Sequence, residues 1–185
     1  MDSLNGRGIL MTLKCKFSPL GKPDVDPYAP GTVVYESRPA NNTMTNVSQP
    51  VSRGVYELMC CSGGGGEWCY IGCNQGAAGS FFKGEVYFDD DKTLEIQVGG
   101  GTGGYSHNGY DTYIAGCILC PGGRSANASC PGSTAAPTLM DGMQIVSAEI
   151  NAGGVCGGGS LFPGTDYGAK KAAGYMKLTY LRIEP

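Results

Sequence analysis

Charge is scarce in this chain. Asp, Glu, Lys and Arg make up only 16% of its 185 residues, the formal net charge is −3, and no basic block appears anywhere. A nucleic-acid partner needs clustered Lys and Arg to neutralise phosphates, so none is expected. No run approaches the ~20 apolar residues of a membrane-crossing helix, so no membrane insertion is expected either. No segment shows a convincing 3.6-residue apolar period, and the nearest approach, "GAKKAAG", is too short to form a stable helix. The opening "MDSLNGRGILMTLKCKF" lacks a positively charged stretch followed by a continuous apolar one. It does not read as a secretory signal, and synthesis in a cytoplasm without a signal peptide is the expectation.

Glycine is abundant, with 32 residues, roughly two to three times average usage. Each glycine inside a regular element costs ~0.5–1 kcal/mol relative to alanine, so this many implies either disorder or an architecture that needs the missing side chains. Disorder favours polar, highly charged chains, whereas this one is 41% hydrophobic. The glycines therefore read as structural. They are most conspicuous in "CCSGGGGEWCYIGCNQGAAGS", residues 60–80, which also holds four cysteines and the single tryptophan.

Apolar residues elsewhere alternate with polar ones, the period-2 mark of half-buried strands. In residues 1–53, "LKCKF" sets Leu13, Cys15 and Phe17 against Lys14 and Lys16, "GTVVYES" is a second strand, and "RPANNTMTNVSQPVS" reads as an extended polar loop. From residue 54, "GVYELMCC" places Tyr56, Leu58 and Cys60 on one face. "FFKGEVYF" and "KTLEIQV" have a hairpin pattern about "DDDK", with Leu94, Ile96 and Val98 facing in. "MQIVSAEI" and "GYMKLTYLRI" follow, the latter alternating Met176, Leu178 and Tyr180 against Lys177, Thr179 and Arg182. The expected fold is all-β, a β-sandwich or jelly-roll-like scaffold with glycine-rich loops. The chain divides into residues 1–53, an N-terminal arm with strands suited to docking or assembly, and residues 54–185, a glycine-rich β domain. Glycine runs can adopt polyglycine II, a threefold extended helix with the backbone dimensions of polyproline II. Such helices pack side by side only where no Cβ intervenes, and their amides then bond between neighbours.

The ordered set "GVYELMCCSGGGG", "GAAGSFFKGEVYFDDDKTLEIQVGGGTGG" and "GYMKLTYL" resembles the glycine-rich domain of phage and prophage tail-fibre or receptor-binding proteins. The likeness covers about residues 54–181. It departs from that pattern where "EWCYIGC" interrupts the first glycine run and in its many cysteines. The resemblance implies a non-enzymatic virion or extracellular-particle protein that forms a homo-oligomer, a trimer favoured, and binds a bacterial surface receptor. Residues 1–53 would dock to other virion proteins. A self-assembling subunit of an extracellular filament or appendage is the alternative.

The residues themselves offer few chemical sites. The nine cysteines leave at least one unpaired within a chain. Cys60, Cys61, Cys69, Cys73, Cys117, Cys120, Cys130 and Cys156 are expected as disulfides or buried thiols. Cys117 and Cys120 of "CILC" with Cys69 and Cys73 of "CYIGC" would make a four-thiolate zinc set, but packed or later-oxidised thiols fit better, and no metal or cofactor is expected. Asp89, Asp90 and Asp91 lack the alternating spacing of a calcium loop and read as a solvated turn. His107 stands near no recognisable nucleophile signature, so no catalytic residue is assigned and an enzyme is not expected. Rigid aromatics among small residues favour recognition, which makes Trp68, Tyr70, Tyr105, His107, Tyr110 and Tyr113 the candidate binding residues.

Overall fold

A computed structural model describes residues 26–67, 76–102, 107–126, 133–151 and 172–185. Ten strands form: β1 (Val33–Ser37), β2 (Met44–Val51), β3 (Gly54–Cys61), β4 (Phe81–Phe88), β5 (Lys92–Gly99), β6 (Thr112–Ile114), β7 (Ile118–Cys120), β8 (Thr138–Leu139), β9 (Gln144–Asn151) and β10 (Tyr175–Arg182). They make two antiparallel five-stranded sheets, ordered β1-β10-β3-β4-β9 and β2-β5-β6-β7-β8. The described residues contain no helix, and therefore none long and apolar enough to cross a membrane.

One apolar cluster draws on both sheets. Tyr56, Leu58 and Cys60 of β3, Phe82, Val86 and Phe88 of β4, and Met176, Leu178 and Tyr180 of β10 meet Leu94, Ile96 and Val98 of β5, with Ile114 and Ile118 beside them. These are the residues that period-2 alternation aims to one side of each strand, and all are buried. At one end of the core Tyr180 packs edge-on against Tyr28 and Tyr56, at 5.5 and 5.3 Å between ring centroids. The Tyr180 hydroxyl donates to Asp26 Oδ1 at 2.6 Å, which ties the first described residue to that end.

Two expectations are corrected. β4 and β5 do not pair as a hairpin: β4 lies between β3 and β9, and β5 between β2 and β6, in the other sheet. Each strand carries a strongly apolar face, so the residues 89–91 turn carries the chain across the core and stacks those faces instead of pairing the edges. The stretch read as a polar loop contains β2, which pairs with β5 along its whole length, from Met44↔Gly99 to Val51↔Lys92. As an outer strand it needs only one partner, and it tolerates Pro50 for the same reason.

Candidate binding surface at the ends of the glycine segments

Beyond β3 the chain continues as an extended segment, residues 62–67, with five other described segments around it. Its amides fan out in order. Gly63 N–H donates to Tyr110 O at 3.1 Å, Gly64 to Ala172 O at 2.9 Å, Gly65 to Ala77 O at 2.9 Å, and Gly66 returns to the first neighbour at His107 O, 2.9 Å. The direction of bonding thus repeats every three residues. The carbonyls are used in the same way: Gly63 O accepts from Gly123 N at 2.8 Å, Gly64 O from Thr102 N at 3.2 Å and Gly66 O from Ala126 N at 3.0 Å. Backbone groups that no sheet pairs are satisfied by these neighbours, which answers the hydrogen-bond accounting for a buried segment. Contact is close enough to exclude a side chain. A Cβ on Gly63 would stand 2.0 Å from Gly100 O, and one on Gly123 would stand 2.2 Å from Ala77 O.

Short polar side chains finish the bonding where the backbone runs out. Asp111 Oδ1 accepts from Gly122 N at 2.7 Å, Asn108 Oδ1 from Ser125 N at 2.8 Å, and Thr112 Oγ1 from Gly99 N at 2.9 Å. Thr134 Oγ1 donates to Ala78 O at 2.8 Å, and the Ser80 hydroxyl donates to Pro121 O at 3.1 Å. Sequence reasoning singled out none of these. The available signal was a small hydrogen-bonding residue within a few positions of a glycine, as in Asn108–Gly109 and Gly79–Ser80.

The ends of these segments converge. Gly66, beside the end of its segment at Glu67, bonds both His107 and Ala126, while Ala77 N–H donates to Arg124 O at 3.0 Å and Arg124 N–H to Ser133 O at 3.2 Å. Residues that flank 68–75, 103–106 and 127–132 are therefore neighbours at one end of the described glycine segments. Trp68, Tyr70 and Tyr105, with Cys69, Cys73 and Cys130, belong to those stretches and lie outside the described residues, as does Cys156. His107 is exposed at this end. Tyr110 sits three residues further from it, 37% exposed, and Tyr113 lies in β6, paired with Gln97 and Leu119. At ~3.1 Å per residue in an extended threefold segment and ~3.3 Å in a strand, Tyr113 is about 19 Å along the chain from His107. His107 is thus brought to the converging end, and Tyr113 to the flank of a sheet.

The four described cysteines, Cys60, Cys61, Cys117 and Cys120, are free and buried. Cys120 Sγ approaches the carbonyl oxygen of Cys60 at 3.6 Å. Burial pushes the Cys61 thiol well above the usual range, and the neighbouring Cys120 raises it further. The Cys120 thiol is raised in the same way, by burial first and Cys60 second. Burial also raises Cys117, against the lowering influence of Lys92. Thiols held protonated are poor nucleophiles and poor metal ligands, so these side chains act as small apolar packing groups. Among the described residues, no three His, Cys, Asp or Glu side chains are grouped to hold a metal ion. No protein-family model and no curated protein matches the chain.

Proposed function

We propose that this chain is a non-enzymatic structural protein of a virion, a tail-fibre or receptor-binding component that presents loops to a bacterial surface. In this reading the two sheets form a β-sandwich, and the glycine segments form a polyglycine-II bundle that extends it. The observation that carries the reading is the three-residue repeat in the bonding of Gly63 to Gly66, the repeat of a threefold extended helix. A bundle held by backbone bonds and free of side chains is narrow and stiff, and it fixes the spacing of whatever joins its segments. The joining stretches carry Trp68, Tyr70 and Tyr105, rigid aromatics that bind surfaces at little entropic cost. Residues 1–53 attach the protein to other virion proteins, and the chain works as a closed homo-oligomer, a trimer favoured, in the virion or an extracellular particle. The likeness to tail-fibre glycine-rich domains supports the same role.

Electron microscopy of the purified full chain, with and without reductant, tests the proposal. Compact closed particles are expected in both conditions. Long regular fibres would overturn it in favour of a filament subunit. A companion assay measures adsorption of the labelled protein to bacteria. Saturable adsorption that is lost in a Trp68→Ala, Tyr70→Ala, Tyr105→Ala triple variant with an unchanged melting temperature is expected. Adsorption unaffected by the triple variant would refute the assignment of these aromatics.

A further inference from the structure

β9 is the outer strand of its sheet, with β4 on one side and no described strand on the other. All of its described side chains are exposed, including Ile145 at 39%, Val146 at 41% and Ile150 at 48%. Its register assigns its faces. Ile145 lies opposite Val86, and Ile150 opposite Phe82, so both belong to the core side of the sheet; Ser147 and Glu149 lie opposite Glu85 and Lys83 on the outer side. Leu139, the last residue of β8, and Met140, which follows it on the way to β9, are also exposed. An eight-residue outer strand with exposed Ile145, Val146 and Ile150 and no described strand beyond it is a template for strand addition.

We infer that this edge is covered by residues 13–17, the "LKCKF" segment whose alternation reads as a strand and which lies outside the described residues, added antiparallel to β9. The alternation of that strand matches both faces. Leu13, Cys15 and Phe17 would continue the core side past Ile145 and Ile150, while Lys14 and Lys16 would project on the outer side. The outer side there is a cleft of about 510 Å³ lined by Glu57, Glu85 and Glu149, with Lys83 as its one lysine. Arg182 already engages Glu85 at 2.7 Å, and an added lysine would flank Glu149 opposite Lys83. A second copy of β9 at the same edge would instead set one acidic cleft beside another, so charge favours the lysine-bearing segment.

The distances permit it within one chain. Tyr180, Tyr56, Val86 and Ile145 form a single cross-strand row, and Tyr180 holds Asp26 at the β10 end of that row. From β10 to a strand beyond β9 is four strand spacings, about 19 Å. The nine peptide links from Phe17 to Asp26 (26 − 17) span up to ~30 Å, enough to pass around the end of the core. With Phe17 beside Ile145, the strand runs antiparallel to β9 and brings Leu13 toward Ile150. Docking of this strand does not depend on the receptor-binding role.

Carbodiimide cross-linking of the full-length chain, with the linked peptides mapped by mass spectrometry, is the test. Links from Lys14 or Lys16 to Glu149 or Glu85 are expected within single chains. A second readout is amide exchange of residues 144–151. Leu13→Asp/Phe17→Asp is expected to speed it at least tenfold while the amides of β3 and β10 keep their protection. Lys14→Glu/Lys16→Glu is expected to do the same, and adding Glu149→Lys to restore slow exchange. Links found only between chains would overturn the inference, as would β9 exchange that is equally fast in the wild type and the Leu13→Asp/Phe17→Asp variant.

Discussion

Adding one methyl group at Gly63 should damage this protein more than most core truncations would. The new Cβ would lie 2.0 Å from Gly100 O and 2.4 Å from Gly100 C, so one segment must move by more than about 1 Å to reach ordinary contact distance. Gly63 also donates to Tyr110 O and accepts from Gly123 N, and a shift of that size breaks both bonds. Each unmade bond in a buried site costs ~1–3 kcal/mol, and the residual overpacking ~1–3 kcal/mol. The entropy that alanine removes from the unfolded chain returns only ~0.4–1 kcal/mol. The expected net loss for Gly63→Ala is ~2–9 kcal/mol, a large part of a typical total stability of ~5–15 kcal/mol. Gly116→Ala is the control. Its φ is +71° and no atom lies within 4 Å of a Cβ there, so only backbone strain of ~1–2 kcal/mol applies. Urea unfolding of the full chain measures both, and thermal melting should show ~2–4 °C per kcal/mol for a protein of this size. If Gly63→Ala lies within ~1 kcal/mol of wild type, or is no worse than Gly116→Ala, crowding between glycine segments is not what holds them.

Stability should fall in alkali. The folded-state values of the Cys61 and Cys120 thiols are raised, so the native chain keeps those protons to higher pH than the unfolded chain does. Their contribution is intact below the unfolded value of ~8.5 and is lost above it, at up to ~1.4 kcal/mol per pH unit for each thiol. Urea unfolding between pH 7 and 10 checks this, and a flat profile would contradict it. Phe82→Ala should cost ~3–5 kcal/mol by cavity formation, because Phe82 is fully buried in the shared core; equilibrium unfolding reads it directly. Asp111→Ala removes the acceptor for Gly122 N–H and should lower stability by ~1–2 kcal/mol. Asp111→Asn should recover most of that loss in the same assay, since an amide oxygen accepts in the carboxylate's place.

The strands that bury side chains on one face were legible because alternation is a side-chain signal. Tyr56, Leu58 and Cys60, then Leu94, Ile96 and Val98, then Met176, Leu178 and Tyr180 all reach the core as their spacing indicates. β2 was obscured because Thr45, Asn46, Ser48, Gln49 and Pro50 fall within it and an outer strand needs little burial. The crossing at residues 89–91 was obscured because the same short turn serves a hairpin or a passage between sheets, and only the opposed apolar faces of β4 and β5 decide. The partners of the glycine segments were not legible at all. Glycine has no side chain to record its neighbour, so which segment Gly64 or Gly65 bonds is set by where the flanking strands leave the sheets. The candidate aromatics were chosen as rigid rings among small residues, a signal that does not separate His107 at the converging end from Tyr113 in β6.

The central claim is that the glycine segments are a hydrogen-bonded core and not slack connections. Residue-resolved amide exchange of Gly63, Gly64, Gly65, Gly109 and Gly123 by NMR tests it most directly. If these amides bond as described, they should exchange as slowly as those of β3 and β10, near the limit set by global unfolding. Exchange at the rate of an unstructured chain, with β3 and β10 still protected, would contradict the claim and leave the proposed binding surface without a platform.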